Sequence, residues 1–249
     1  MASLQVTAKP PSTPAPPATP AIPKPATQTA TQKTAQILKT ALFSEIVHIK
    51  VGKELKDFGV HKDLICYHSP YFKAAFNSGF EEAKTGIMKL PETNTKVFEL
   101  FVHWLYTQVL WSKDDDKEEK RTALETMMDL HLFADMIRAV SLMNQSITAL
   151  RDLSDAGSVV PTQTFARVWK NTTENSPIRR LIIDWMIWEV NSDVFERNPN
   201  SFPHDLLLAA MTASRKAIRA FQHEHRSTIK KPLLIESNYH VSEDTKEAV

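Results

Sequence analysis

The chain has 249 residues, of which 42% are hydrophobic, so it is long enough for one or two domains with an ample core. Its 30 basic and 29 acidic side chains give a net charge of +1, which argues against a dedicated nucleic-acid or membrane-surface binder. A single cysteine excludes an intrachain disulfide framework and suits a cytoplasmic and/or nuclear location, and no apolar run is long enough to span a membrane.

Residues 1–40 differ in composition from the rest of the chain. Eight of the 15 prolines lie between Pro10 and Pro25, and no acidic residue precedes Glu45. Such a segment cannot bury enough apolar surface to offset its ordering entropy, so we expect a disordered Pro/Ala/Thr-rich tail. A mitochondrial transit peptide is the alternative interpretation, which the prolines and the lack of any arginine before Arg121 disfavour.

Two strands are predicted where this tail ends. Residues 44–52 alternate apolar and polar side chains up to Gly52, which indicates a strand followed by a tight turn at Gly52 and Lys53. A second strand then runs through Phe58 and Val60. A third short strand, with the sequence IMKLP, is expected later in the chain.

Two short helices are predicted between the second and third strands. Leu64 and Ile65 fit one helical turn. Ser69 followed by Pro70 is typical of an N-cap with proline at the first helical position. The second helix is expected to bury an apolar face and to end at Asn77, Ser78 and Gly79; that face comprises Tyr71, Phe72, Ala75 and Phe76.

From residue 95 onward the apolar spacing predicts helices only. The acidic loop 114–119 is interpreted as solvated surface. Ser176 is expected to cap the most strongly apolar helix, with Pro177 at its first position. A last helix is expected from about His204 to Phe221. The apolar positions of the five helices before it are, helix by helix, Val97, Phe98, Phe101, Val102, Trp104 and Leu105; Leu124, Met127, Met128 and Phe133; Val140, Leu142, Met143 and Ile147; Val168 and Trp169; and Leu181, Ile182, Trp185, Trp188 and Val190.

This order of elements predicts an α+β unit with a helical extension, and it resembles the BTB/POZ domain. The resemblance covers roughly Ser44 to Leu150 and is carried by Val60-His61-Lys62 leading into Leu64, by Ser69-Pro70-Tyr71-Phe72, by Leu90-Pro91, and by Leu105-Tyr106-Thr107. It implies a small three-stranded sheet flanked by helices, with an all-helical C-terminal extension. The predicted organisation is a tail at 1–40, a BTB/POZ domain at 43–150, a helical extension packed on it at 151–222, and a polar C-terminal tail at 223–249.

The chain is more narrowly similar to short BTB proteins of fungi that have a helical C-terminal half. The shared stretches are the loop Gly79-Phe80-Glu81-Glu82-Ala83 and Thr173-Glu174-Asn175-Ser176-Pro177-x-Arg179-Arg180-Leu181. Glu45 stands where the family usually has aspartate, a change that keeps the charge.

The stretch from Phe58 to Phe80 gathers two histidines, a serine, a lysine and the cysteine, which could suggest a nucleophilic site. Nucleophilic catalysis needs a base beside the nucleophile and a third group that orients the base, and no third group is apparent. We therefore expect His61 to bond backbone groups at the end of its strand, Ser69 to cap a helix, and Cys66 to be a buried small hydrophobe.

No catalytic residue, cofactor site or metal site is predicted. His223-Glu224-His225 could offer two imidazoles to a metal, but a structural zinc site needs four ligands. Phosphate-binding glycine motifs are absent from the sequence.

Phe80 and Glu82 are the candidate partner-binding residues. They fall in the loop where cullin-binding BTB adaptors carry an apolar-x-Glu motif, so the resemblance implies that Phe80 enters an apolar groove of a cullin while Glu82 orients the approach. The alternative is that Phe80 folds back on its own domain, and the sequence leaves both possibilities open.

The resemblance therefore implies a non-enzymatic protein-interaction module, in its sharper form a cullin ubiquitin-ligase adaptor. The alternative is a transcriptional or chromatin cofactor that acts through self-association. Because the Pro-rich tail occupies the place where the family often has a dimerising strand, we expect a monomer or a weak homodimer.

Overall fold

The computed structural model describes residues 45–110, 117–157, 159–223 and 239–242, apart from the side chains of 117–122 and 220–223. All of these described residues belong to one compact unit. The predicted tail at 1–40 lies outside the described residues, as do residues 114–116 of the acidic loop 114–119. Residues 117–119 belong to a helix that begins at Lys117.

The three predicted strands form one sheet in the order β2-β1-β3. Strand β1 (Ile46–Val51) runs antiparallel to β2 (Lys56–His61) and parallel to β3 (Ile87–Leu90). Alternate residues of β1 are buried, so one face of the sheet contributes to the core and the other faces outward. Gly52 turns the chain after β1 with φ of 75°, and a Cβ there would meet Oγ1 of Thr95 at 2.8 Å, so glycine is required on both counts.

Helices make up most of the other described residues, so the predicted α+β class with a helical C-terminal half is confirmed. In chain order they are α1 (Lys62–His68), α2 (Pro70–Phe76), α3 (Glu81–Thr85), α4 (Thr95–Thr107), α5 (Lys117–Met136), α6 (Val140–Gly157), α7 (Phe165–Lys170), α8 (Pro177–Trp188), α9 (Ser192–Arg197) and α10 (His204–His223).

Ser69 caps α2 as expected and also makes a long-range contact. Its Oγ accepts the backbone N–H of Phe72 at 3.2 Å and donates to the carbonyl oxygen of Ile137, just beyond α5, at 2.7 Å. Ser69 is fully buried, so the hydroxyl pairs two backbone groups that water does not reach.

Two predictions about helix starts and faces were wrong. The side chain of Ser176 makes no capping bond to α8, although Pro177 does occupy the first turn as predicted. Tyr71 is exposed and does not belong to the buried face of α2, whereas Phe72 and Phe76 are buried and Ala75 packs partly against the core.

The core is continuous from the sheet to the C-terminal helices. Rings of α4 and α5 pack at its centre, with Phe101 and Phe133 at 5.4 Å between centroids. A second aromatic group joins the C-terminal helices, where Phe165 stacks on Trp185 at 6.2 Å and meets Phe202 edge-on. Trp169 and Trp185 are buried, in keeping with their predicted core role.

Polar contacts also tie the residues after α6 to the preceding helices. Arg167 of α7 pairs with Asp129 of α5, and the Gln163 amide donates to the Glu125 carboxylate at 2.6 Å. The domain boundary predicted at 150 falls inside α6, which continues to Gly157. The boundaries at 150 and 222 therefore stay predictions, and the contacts show only that the two segments share one core.

Candidate partner-binding surface

The loop between α2 and β3 presents Phe80 to solvent. α2 ends at Phe76, and Phe80 holds the extended position before α3, with its carbonyl accepting the N–H of Ala83 at 3.2 Å. Its side chain keeps 65% of its surface exposed. Of the two alternatives that the sequence left open, the structure shows the exposed ring and not the one folded into the core.

Backbone contacts anchor this loop to the sheet. α3 is followed by Gly86, whose left-handed φ of 66° suits glycine. The Gly86 carbonyl accepts the N–H of His48 in β1 at 2.8 Å. The position of Phe80 is thus defined by a short helix whose far end is fixed to strand β1.

Glu81 and Glu82 occupy the first turn of α3, where unpaired backbone N–H groups favour negative charge. Glu81 is exposed and Glu82 is half-buried. Phe80 and Glu82 therefore lie two residues apart at the start of the same helix, as an aromatic anchor and a neighbouring charge require. We predicted that the Phe80 and Glu82 side chains point in the same direction, and this stays a prediction.

His61 has a structural partner, but not the one expected. Its ring Nδ1 lies 2.8 Å from the hydroxyl of Tyr106, and its backbone N–H donates to the same oxygen at 3.2 Å. Because that oxygen accepts from the backbone, the hydroxyl proton is available to Nδ1. The expectation that the ring bonds backbone groups was wrong, since Tyr106, 45 residues away, supplies the partner.

The other polar residues of the stretch from Phe58 to Phe80 do not form a nucleophilic site. Burial raises the pKa of the Cys66 thiol to about 11, and its Sγ donates to the Phe72 carbonyl at 3.7 Å. The His68 ring is packed between Tyr67 and Trp104. A cysteine with a raised pKa and no histidine among its hydrogen-bond partners in the described residues lacks the features of an activated nucleophile.

The other predicted motif residues take structural positions. Leu64, Phe72 and Leu105 are buried in the core, Tyr106 is half-buried against His61, and Tyr71 is the exposed exception.

A fully buried histidine, His131 on α5, was not indicated by the sequence. Its Nδ1 lies 2.9 Å from the hydroxyl of Ser146 on α6, and that hydroxyl donates to the Met143 carbonyl at 2.8 Å. Nε2 has no hydrogen-bond partner among the described residues. Burial lowers the pKa of His131 to about 4, so the ring is neutral at physiological pH.

The sequence also did not indicate a contact made by Tyr239–Ser242, a segment that we call the strap. It was predicted as part of a polar tail, yet Tyr239 is only 3% exposed and its hydroxyl donates to Asp184 of α8. The only local signal was an aromatic and an aliphatic residue two apart, Tyr239 and Val241, among polar neighbours.

Among the described residues, no three His, Cys, Asp or Glu side chains come together as metal ligands would. The described side chains do not include the His223-Glu224-His225 motif. None of the helices in the described ranges is both long and apolar enough to cross a membrane.

Comparison with known proteins points to one domain family. Residues 35–149 match the sequence model of the BTB/POZ domain, a region that includes β1 through the first ten residues of α6. The structure is similar to the BTB (Tramtrack and Bric a brac) domain of human gigaxonin, with 15% identity over 53% of this chain and 98% of that one and a TM-score of 0.36. It is also similar to the BTB domain of zebrafish PATZ1, with 15% identity over 53% of this chain and 99% of that one and a TM-score of 0.35.

Proposed function

Because this chain carries a BTB/POZ domain at residues 35–149, a module of protein–protein interaction, we propose that it acts without catalysis as a cullin ubiquitin-ligase adaptor and that Phe80 and Glu82 contact the cullin. The observation that carries the proposal is the exposed ring of Phe80. An aromatic side chain that is solvated in the free protein and enters an apolar pocket of a partner is the residue type that dominates interface energies.

The loop geometry supports this role. Phe80 stands at the start of α3, whose end is bonded to β1, so the ring is presented from a defined backbone position and little ordering entropy is lost on binding. Glu82 contributes a partly exposed charge two residues further on, which favours a partner with a basic rim.

A pull-down and affinity measurement against a panel of cullin N-terminal domains tests the proposal. The wild-type chain should bind one of them, and Phe80→Ala should weaken that binding by about 2 kcal/mol or more, or roughly thirtyfold. The melting temperature should change little, since exposed side chains contribute little to stability.

Leu208→Ala is the matched control, because Leu208 is an equally exposed apolar residue on α10, far along the chain from this loop. It should leave cullin binding unchanged. Absence of wild-type binding to every cullin would reject the adaptor function, and unfolding of Phe80→Ala would assign Phe80 to the core.

Self-association as part of a transcriptional or chromatin cofactor is the second candidate. Ile46 of β1 and Ile87 of β3 are both exposed although they are large and apolar, and each lies beside His48 in the sheet. We expect a monomer or a weak dimer, which sedimentation equilibrium at micromolar concentration will distinguish from a stable dimer. Ile46→Lys should abolish any dimer formed through this face.

A further inference from the structure

The strap is held by main-chain recognition as well as by its side chains. The side-chain amide of Asn144 on α6 donates from Nδ2 to the carbonyl of Val241 at 2.9 Å, and its Oδ1 accepts the N–H of Val241 at 2.7 Å. One side chain thus satisfies both backbone groups of a residue, as a neighbouring strand would. Such contacts recognise a peptide main chain whatever side chain it carries.

The side chains of Tyr239, His240 and Val241 add selectivity. The Tyr239 hydroxyl donates to Asp184, and its ring is part of the core. Burial first, and then Asp184, raise the pKa of Tyr239, so the phenol is neutral and able to donate. His240 contacts the Thr148 hydroxyl through Nε2 at 3.1 Å, and Val241 packs partly against the core.

These contacts favour a tyrosine followed two residues later by an aliphatic residue. A phosphorylated tyrosine would place a charge of about −2 beside the Asp184 carboxylate and would lose the hydrogen bond that the hydroxyl donates. The site should therefore reject phosphotyrosine. The site formed by Asn144, Thr148 and Asp184 is therefore selective for a Tyr-x-aliphatic segment that is not phosphorylated.

We propose that this surface of α6 and α8 is a peptide-binding site for a Tyr-x-aliphatic segment of a partner protein, and that the strap is its built-in competitor. Because the strap belongs to the same chain as the site, it competes intramolecularly, and a partner segment has to bind more favourably than the strap does. A partner segment displaces it by making contacts beyond the four residues of the strap. The site lies on helices other than those that present Phe80, so it is independent of the proposed cullin contact.

Fluorescence anisotropy with a labelled peptide of residues 236–249 tests the proposal on the full chain. The wild-type chain should bind the peptide weakly, because its own strap occupies the site. A full chain that carries Tyr239→Ala and Val241→Ala should bind it at least tenfold more tightly. The same peptide with phosphotyrosine in place of Tyr239 should bind at least tenfold more weakly than the unmodified peptide.

Adding Asn144→Ala to the double variant should reduce peptide binding at least tenfold, whereas Asp155→Ala, an exposed change on the same helix, should have no effect. Absence of peptide binding to the folded double variant would overturn the proposal, as would binding that is indifferent to Asn144. If the double variant does not fold, the full chain with Val241→Pro takes its place in the measurement. Proline lacks the backbone N–H that donates to the Asn144 side chain, so the strap is weakened while Tyr239 is kept. The same outcomes then apply.

Discussion

Single polar side chains that are buried or half-buried form several long-range contacts of this molecule. Ser69 joins α2 to the residue after α5, His61 joins β2 to Tyr106, and His131 joins α5 to α6. Each pairs groups that water does not fully reach, so removal of one partner leaves the other unsatisfied.

Replacement of Ser69 by alanine should destabilise the fold by about 2 kcal/mol, since it removes a helix cap and leaves the Ile137 carbonyl unpaired. Urea denaturation measures this change. Ser78→Ala is the control, because the Ser78 hydroxyl lies in an exposed loop and bonds only local backbone groups. Equal effects of the two changes would contradict a special role for the buried hydroxyl.

His131 should make stability depend on pH. Its pKa is about 4 when folded and about 6.5 when unfolded, so below pH 6.5 the unfolded chain binds a proton that the folded chain does not. The free energy of unfolding therefore keeps the full contribution of neutral His131 above pH 6.5. That contribution declines as the pH falls towards 4 and then levels off, with a total loss of about 3 kcal/mol.

The free energy of unfolding, measured by urea denaturation at several values between pH 7.5 and 4, tests this expectation. His131→Leu should remove this part of the pH dependence. At pH 7 it should cost little, because it also removes the buried Nε2 that has no partner among the described residues. An unchanged pH profile in the variant would show that other groups cause the dependence.

At the scale of elements, the local patterns were the reliable part of the sequence prediction. Strand alternation and helical spacing repeat within a few residues, so they predicted the strands and most helix faces. Partners distant in sequence could not be predicted: Tyr106 for His61, Ile137 for Ser69 and Asn144 for Val241. Ser69 and Ser176 share the same Ser-Pro pattern, yet only the first forms a capping bond.

The junction of α7 and α8 depends on Arg179. Its guanidinium lies 4.2 Å over the Trp169 ring, donates to the Trp169 and Thr172 carbonyls, and contacts the Thr172 hydroxyl at 3.0 Å. The arginine thus pairs carbonyls near the end of α7 and orients it against α8.

Arg179→Lys should cost about 1–2 kcal/mol in thermal or urea unfolding, because lysine keeps the charge but cannot make the forked hydrogen bonds or stack as a plane. The neighbouring Arg180→Lys is the control, since Arg180 is exposed. A similar loss in both variants would mean that charge alone matters at this junction.

At the scale of the whole molecule, the BTB/POZ region and the helices after it share one core. The helices beyond residue 157 supply buried aromatic side chains and pair with α5 through Arg167 and Asp129. Phe80 lies at the start of α3, whereas the strap contacts α6 and α8, so the two proposed partner sites involve different helices.

A chain that ends at Gly157 should therefore aggregate or melt without cooperativity. The shortened chain would lose the apolar side chains that the later helices add to the shared core. Burial of each large apolar side chain contributes about 1.5–3 kcal/mol to the free energy of unfolding. Calorimetry and dye binding to exposed apolar surface will show this. A soluble fragment with a sharp melting transition would demonstrate that the BTB/POZ region folds independently.

Burial of Tyr239 has a consequence for biosynthesis. Among the described core residues it is the last in the chain, and its partner Asp184 precedes it by 55 residues. Domains fold from their N-terminal end as the ribosome extends them, so the sheet and the first helices can assemble while the place for this tyrosine is still vacant. A nascent chain paused between His223 and Tyr239 would display that vacancy to chaperones, and the emergence of Tyr239 from the ribosome would close it.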